Sequence, residues 1–244
     1  MSSSNIEEKR DHLLGILRGY GSVVVAFSAG VDSSVVAKAA FLACGSKAVA
    51  VTGVSPSLAF GELDQARQVA ALIGIRHEIV ETDEFRSPDY LANPGNRCYF
   101  CKTELYGHLR PLADKLGLDF VVNGANIDDL GDYRPGMLAA TESAVKSPLV
   151  EARFAKDDVR QLARVWALPV SEKPASPCLS SRIAYGVEVT AERVRRIDAA
   201  ERFVSQLTGA VELRVRLEAR ELARIEVPID YLQKLTEPEI SKRL

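Results

Sequence analysis

The amino-acid sequence predicts an α/β fold: a parallel sheet with helices on both faces, followed by a small α+β domain. Three observations carry that expectation. The apolar, largely β-branched run Val23–Phe27 (VVVAF) suits a strand buried on both faces. Strand-like runs then alternate with segments of helical spacing to about residue 145. Past residue 210, apolar and charged residues alternate one by one, as in a strand with one buried face.

Taken in order, Ile6, Leu13, Leu14 and Leu17 predict a leading helix. After the strand Val23–Phe27 and a turn of small residues, Val35, Val36, Ala39 and Ala40 predict a helix to about Ala43. Lys47–Val54 reads as a second buried strand, stopped by Ser55-Pro56-Ser57. Leu63, Ala66, Val69, Ala70 and Ile73 predict a helix over Glu62–Gly74, with Gly74 as its C-terminal cap. Arg76–Val80 is a third strand, Cys98–Leu116 a helix, Phe120–Asn123 a fourth strand and Gly136–Val145 a helix. Right-handed crossovers between parallel strands gather the strand C-termini, hence Ser28–Ser34, Thr52–Ser57 and Gly124–Asp132, on one ligand-binding edge. Thr190 is the expected N-cap of a helix to about Leu207, ended by Gly209. Val211–Leu217 is the one-face-buried strand, expected antiparallel to Ala223–Val227. The boundary falls at about residue 180, giving a sheet domain over 1–180 and a substrate-binding or oligomerisation domain over 181–244. The loop Ser171–Ser181 joins them.

A chain of 244 residues has room for such a main domain and a smaller one. The formal net charge of −2 makes no overall electrostatic case for nucleic-acid binding. No apolar run approaches the ~20 residues of a membrane helix. The opening MSSSNIEEKR lacks the apolar core of a secretory signal. Four cysteines are too few for a disulfide scaffold at this length. They are expected as thiols or ligands in a reducing cytoplasm.

The turn Ser28, Ala29, Gly30, Val31, Asp32, Ser33, Ser34 has the layout of a phosphate site. Small side chains admit an anion to the backbone, and the first N–H groups of the next helix have no internal partner. It lacks the Gly-Lys-Ser/Thr of a Walker A loop. It resembles instead the PP-loop, Ser-Gly-Gly-x-Asp-Ser, of the ATP pyrophosphatase superfamily, with Ala29 at the first glycine. A methyl group there is a small change, and the loop is expected to close. An ordinary strand-to-helix turn has a similar composition; position directly after a buried strand favours the phosphate role.

Cys98 and Cys101 form a CxxC at a helix start, and Cys178 lies in the segment SPCLSSR. CxxC alone fits a redox pair, half a zinc site, part of an iron–sulfur site or unrelated thiols. Three thiolates suit a [4Fe–4S] cluster with one iron open to a reactive sulfur, while Cys44 reads as a small core residue. In the loop after the fourth strand, Gly124 lets a nucleotide approach, and Asp128, Asp129 and Asp132 offer hard oxygens to Mg²⁺. The alternative is a solvated acidic loop with capping aspartates. Arg214 and Arg216 lie two apart on one strand, so both point to its polar face. With Arg182 and Ser180 or Ser181 they can clamp a substrate phosphate, or simply solvate the strand. His12, His77 and His108 pair with no nucleophile and receive no role.

Over nearly the whole chain, SAGVDSS, RCYFCK, NGANIDDLGDYRPG and SPCLSSR resemble, in this order, one PP-loop family. It is the LarE-like ATP-dependent sulfur transferases, the pyridinium-3,5-bisthiocarboxylic acid mononucleotide synthases of nickel-pincer cofactor assembly. The resemblance implies that ATP and Mg²⁺ adenylate a carboxylate of pyridinium-3,5-dicarboxylic acid mononucleotide, after which sulfur displaces AMP. It makes Asp32 and Cys178 the expected catalytic residues. Single-cysteine members give up the sulfur matching Cys178; three-cysteine members, matching Cys98, Cys101 and Cys178, hold an iron–sulfur cluster. This chain has all three. A homo-oligomer and a downstream nickel-inserting protein are also expected. The alternatives are a PP-loop tRNA thiolation enzyme and a nucleotide-binding sensor without chemistry. The acidic balance and lack of an RNA-binding module disfavour the first; Cys178 beside an arginine clamp disfavours the second.

Overall fold

The computed structural model describes residues 3–131 and 135–244. The chain opens with helix α1 (Ser3–Tyr20), strand β1 (Val23–Ala26) and helix α2 (Val31–Cys44). Strand β2 (Ala48–Val54), helix α3 (Glu62–Ile73), strand β3 (Arg76–Glu81) and the short helix α4 (Pro88–Leu91) follow. Then come α5 (Arg97–Leu116), β4 (Phe120–Val122), α6 (Pro135–Glu142), α7 (Pro148–Glu151) and α8 (Lys156–Val165). The last stretch holds α9 (Ala191–Thr208), β5 (Arg214–Leu217), β6 (Ala223–Glu226), α10 (Ile229–Leu235) and α11 (Pro238–Ser241).

The chain divides into two compact units. The first runs to Ser55 and includes Gly61–Glu84 and Asn96–Ser176; the second is Pro56–Phe60, Phe85–Gly95 and Pro177–Leu244. Two early segments thus belong with the C-terminal unit, which a linear division at residue 180 does not anticipate.

The first unit is built on a four-stranded sheet in the order β3-β2-β1-β4, every neighbour parallel. Val23, Val24 and Val25 of β1 are fully buried, as a strand with cover on both faces requires. Successive side chains point to opposite faces. Val23 and Val25 join the core that includes Leu13, Leu17, Val35 and Leu162, while Val24 joins Tyr106, Leu109 and Ala139. The chain moves outward from β1 through β2 to β3, then returns to place β4 on the other side of β1. Strand order therefore reverses at β1, and its C-terminal end is the switch point where such sheets bind ligands.

The second unit is an antiparallel pair, β5 with β6, backed by α9. Such a hairpin is marginal alone and needs a packed helix. Val215 and Leu217 supply the buried face, together with Val194, Ile197 and Val204 of α9. The expected strand start at Val211 is not part of β5; Val211 is 92% exposed. Thr190 caps α9 by accepting from Arg193 N at 3.1 Å, and Gly209 ends it at φ 78°. Buried Asn93 stitches Phe85–Gly95 to the unit, its Nδ2 donating to Ala184 O at 2.8 Å and Val187 O at 2.9 Å. Among the described residues no helix is long and apolar enough to cross a membrane.

Candidate functional site

The turn after β1 is the segment in which the sequence leads one to expect a phosphate site. Phe27 N still pairs with Val51 O at 2.8 Å, so the chain leaves the sheet only at Ser28. Ala29 then takes φ 53°, fully buried. That left-handed conformation costs an L-residue about 1–2 kcal/mol, which is why glycine suits the position. The loop does close around the methyl group. Gly30 is the N-cap of α2 and has no side chain with which to cap it; its own N–H donates to Ser28 Oγ at 3.4 Å, and Ser34 N donates to Gly30 O at 3.0 Å. The preceding N–H groups are the ones left without helical acceptors. Ser33 Oγ donates to Gly30 O at 3.2 Å and lies 3.3 Å from Ser28 Oγ, bracing the turn. The buried Ser34 Oγ has no hydrogen-bond partner among the described residues.

Asp32, on the first turn of α2, is held from two sides. Lys156 Nζ donates to Oδ2 at 2.5 Å, and Asn126 Nδ2 donates to Oδ1 at 3.1 Å. Both partners come from later in the chain. Lys156 opens α8, where Asp158 takes the Ala155 N–H at 2.8 Å and Asp128 takes the Lys156 N–H at 2.7 Å. Asn126 is fixed in turn by Asp129, whose Oδ2 accepts its N–H at 3.0 Å. Asp128 and Asp129 thus serve as backbone caps, and Asp132 lies outside the described residues. Gly124 packs against the start of α2: a Cβ there would sit 2.8 Å from Ser33 N. Only glycine lets this loop close onto the turn, and the resulting cradle of small residues and free N–H donors fits a nucleotide phosphate chain.

Cys98 and Cys101 lie within the first two turns of α5, three residues apart and so on one face. Cys98 is exposed and Cys101 half-buried. Cys178 is exposed at the start of a 3₁₀ turn over Leu179–Arg182 in the second unit. Among the described residues no group of three or more His, Cys, Asp or Glu side chains is gathered to hold a metal ion. Cys44 behaves as the core residue expected: its Sγ donates to Leu17 O at 3.3 Å, and burial pushes its thiol up.

In the second unit, Arg214 and Arg216 share one face of β5, as their spacing predicts. Arg216 Nε donates to Glu226 Oε1 at 2.8 Å and Nη1 to Ser181 O at 3.2 Å. Its guanidinium holds the Glu226 carboxyl below the usual range. Arg214 sits opposite Glu226 in the hairpin register. The other two residues expected at a substrate phosphate are placed differently. Ser180 is fully buried, its hydroxyl 2.8 Å from Tyr90 Oη. Arg182 is also buried, spanning Glu201 Oε1 at 3.0 Å, Cys178 O at 3.3 Å, Pro177 O and Ser181 Oγ. A turn flanked by buried Leu179 and Ile183 draws both side chains inward.

Lys156 and Glu201 escape a reading by motif, and the bond of Asn126 to Asp32 is not visible in its motif, because each acts on a partner remote in sequence. No protein-family model matches the chain. It is 47% identical over 232 residues to an uncharacterized protein of Synechocystis sp., covering 95% of this chain and 86% of that one. It is 34% identical over 226 residues to the pyridinium-3,5-bisthiocarboxylic acid mononucleotide synthase of Lactiplantibacillus plantarum, covering 92% and 81% respectively. A tRNA-specific 2-thiouridylase of Syntrophus aciditrophicus is 29% identical over 195 residues, 63% of this chain and 50% of that protein.

Proposed function

The chain belongs to the family of pyridinium-3,5-bisthiocarboxylic acid mononucleotide synthases, and from that premise we propose that it is an ATP-dependent sulfur transferase acting on a pyridinium dicarboxylate mononucleotide in nickel-pincer cofactor assembly. A substrate carboxylate oxygen attacks the α-phosphorus of ATP, and pyrophosphate leaves. A sulfur nucleophile then attacks the carbonyl carbon of the acyl-adenylate, and AMP leaves with the C–O electron pair. A carboxylate accepts no nucleophile until its oxygen carries such a leaving group.

The observation that carries this reading is the uncapped start of α2 at the switch of strand order, with Asp32 bonded to Lys156 and Asn126. A PP-loop contains no lysine of its own. Lys156 supplies a cation beside the turn, free to turn from Asp32 to the phosphates when ATP enters. Ser28, Gly30, Ser33 and the N–H groups around them bind the phosphates, and Gly124 leaves room for the nucleotide. Mg²⁺ is held mainly by the phosphates, with Asp128 and Asp129 as nearby carboxylates.

Arg214 and Arg216 are the phosphate ligands for the mononucleotide, while Ser180 and Arg182 shape the loop beside them. The three thiols Cys98, Cys101 and Cys178 are the residues that would hold a [4Fe–4S] cluster, which when bound would supply sulfide. The spacing of Cys98 and Cys101 on one helix face and the exposure of Cys178 support that set. Exposed Val211, Leu222, Ile229 and Leu232 support self-association through the second unit. A tRNA substrate is less well supported, since the thiouridylase relative matches a smaller part of the chain. The experiment is incubation with ATP, Mg²⁺ and the dicarboxylate mononucleotide under anaerobic conditions. AMP, pyrophosphate and a thiocarboxylate are expected; ADP and phosphate as products would overturn the proposal.

A further inference from the structure

One oxygen of Glu201 joins two parts of the second unit. Arg182 Nε donates to Glu201 Oε1 at 3.0 Å, and Val215 N donates to the same Oε1 at 3.0 Å. The Arg182 and Glu201 side chains are 7% and 15% exposed. The other arm of Arg182, Nη1, grips the carbonyls of Pro177 and Cys178 and the hydroxyl of Ser181. Val215 is the residue between Arg214 and Arg216. A single carboxylate oxygen therefore ties the backbone around Cys178 to the peptide between the two phosphate-binding arginines. A second bond runs parallel to it, Arg216 Nη1 to Ser181 O at 3.2 Å.

A buried ion pair is weak evidence for stability, because well-packed apolar residues often serve as well. Its special property here is geometric. Arg182 reaches both ways with a planar fork, and Glu201 receives the loop and the strand at one point. We infer that Glu201 is a positioning residue for sulfur transfer: it sets the Cys178 loop in register with β5, so that a substrate anchored by its phosphate meets the sulfur. This rests on the assignment of Cys178 and β5 made above.

Three replacements of Glu201 and two controls test the inference, with pyrophosphate release and thiocarboxylate formation followed separately in single turnovers. Glu201→Gln keeps an Oε1 that accepts both bonds and should transfer sulfur within about threefold of the parent. Glu201→Asp is one methylene short and cannot meet both donors. A misplacement of about 1 Å costs on the order of 10²-fold, so sulfur transfer should fall by about that factor while pyrophosphate release is unchanged. Glu201→Ala should behave as Glu201→Asp does. Arg182→Lys, which keeps the charge but loses the fork, should show the same split and guards against a Glu201 variant that fails to fold. Wild-type transfer in both Glu201→Asp and Arg182→Lys would overturn the inference. So would equal loss of both steps, or a Glu201→Gln variant as slow as Glu201→Asp. Undiminished transfer in Cys178→Ala would instead overturn the assignment of Cys178 itself.

Discussion

Lys156 donates to Asp32 at 2.5 Å across a separation of 124 residues, joining the first turn of α8 to the first turn of α2. The ammonium is thereby parked beside the phosphate turn before any nucleotide arrives. Lys156→Ala should leave the fold intact by circular dichroism and lower kcat/KM for pyrophosphate release by about 10²–10³-fold, the scale of losing one preorganised charge contact. Asp32→Ala should abolish the activity. A Lys156→Ala enzyme with parental kinetics would remove the lysine from the ATP site.

The left-handed Ala29 makes the turn sensitive to side-chain shape. Ala29→Gly should retain ATP cleavage. Ala29→Val places a β-branched side chain at φ 53° in a fully buried position, and thermal melts should show a loss of several degrees, at about 2–4 °C per kcal/mol for a chain of this size. Equal melting of the glycine and valine variants would contradict the strain argument.

Arg214 and Arg216 together should govern the mononucleotide and not ATP. Each charge-assisted bond contributes about 1.5–3 kcal/mol, so the double alanine variant should raise KM for the mononucleotide by at least about 100-fold. Its KM for ATP should hardly move. A parallel rise in both constants would count against a separate phosphate site on β5.

Cluster ligands act as a set. Single alanine variants of Cys98, Cys101 and Cys178 should each lose iron and multiple turnover after anaerobic reconstitution, whereas Cys44→Ala should lose neither. Intact mass supplies the opposing outcome. An iron-free protein that turns over once and leaves dehydroalanine at residue 178 would replace the cluster with sacrifice of the Cys178 sulfur.

A pH effect is expected at the base of the turn. Thr52 Oγ1 donates to Phe27 O at 2.8 Å and so accepts from His77 Nε2, also 2.8 Å away. Burial pushes His77 down from its ordinary value of about 6.5. Protonation is thus favoured on unfolding: the contribution to stability is complete above about pH 6.5 and is lost as pH falls through the folded-state pKa. His77→Gln, which can still donate to Thr52, should flatten the stability profile below about pH 6.5. An unchanged acid limb in urea titrations would exclude His77 as its source.

The parts of the molecule legible in the sequence are those where local pattern and tertiary environment agree. Val23–Phe27 announces a central strand because both of its faces are covered, and Ser28–Ser34 announces a turn because small residues interrupt two apolar periods. Arg214 and Arg216 share a face because strand geometry leaves them no choice. Lys156 is silent in the same reading, since nothing near it in sequence records that α8 begins beside α2. The burial of Ser180 and Arg182 is silent for a related reason: polar residues in a loop suggest exposure, but Tyr90 and Glu201 satisfy them inside. Helix α8 carries no N-cap signal in the sequence because its N-cap is Ala155, and half of a capping box, the Asp158 carboxylate, does the work usually shared with a side-chain oxygen.

The mosaic construction of the second unit imposes a schedule on biosynthesis. Phe60 N pairs with Asp198 Oδ1 at 3.0 Å, 138 residues further on. Ribosomes add about 5–20 residues per second, so the Pro56–Phe60 and Phe85–Gly95 segments wait on the order of 10 s for the helix that receives them. During that interval the nascent sheet can close while Tyr90, buried in the finished fold, remains uncovered. A chaperone that captures emerging aromatic segments would meet this polypeptide in that window, and slowing translation between codons 95 and 198 would lengthen it.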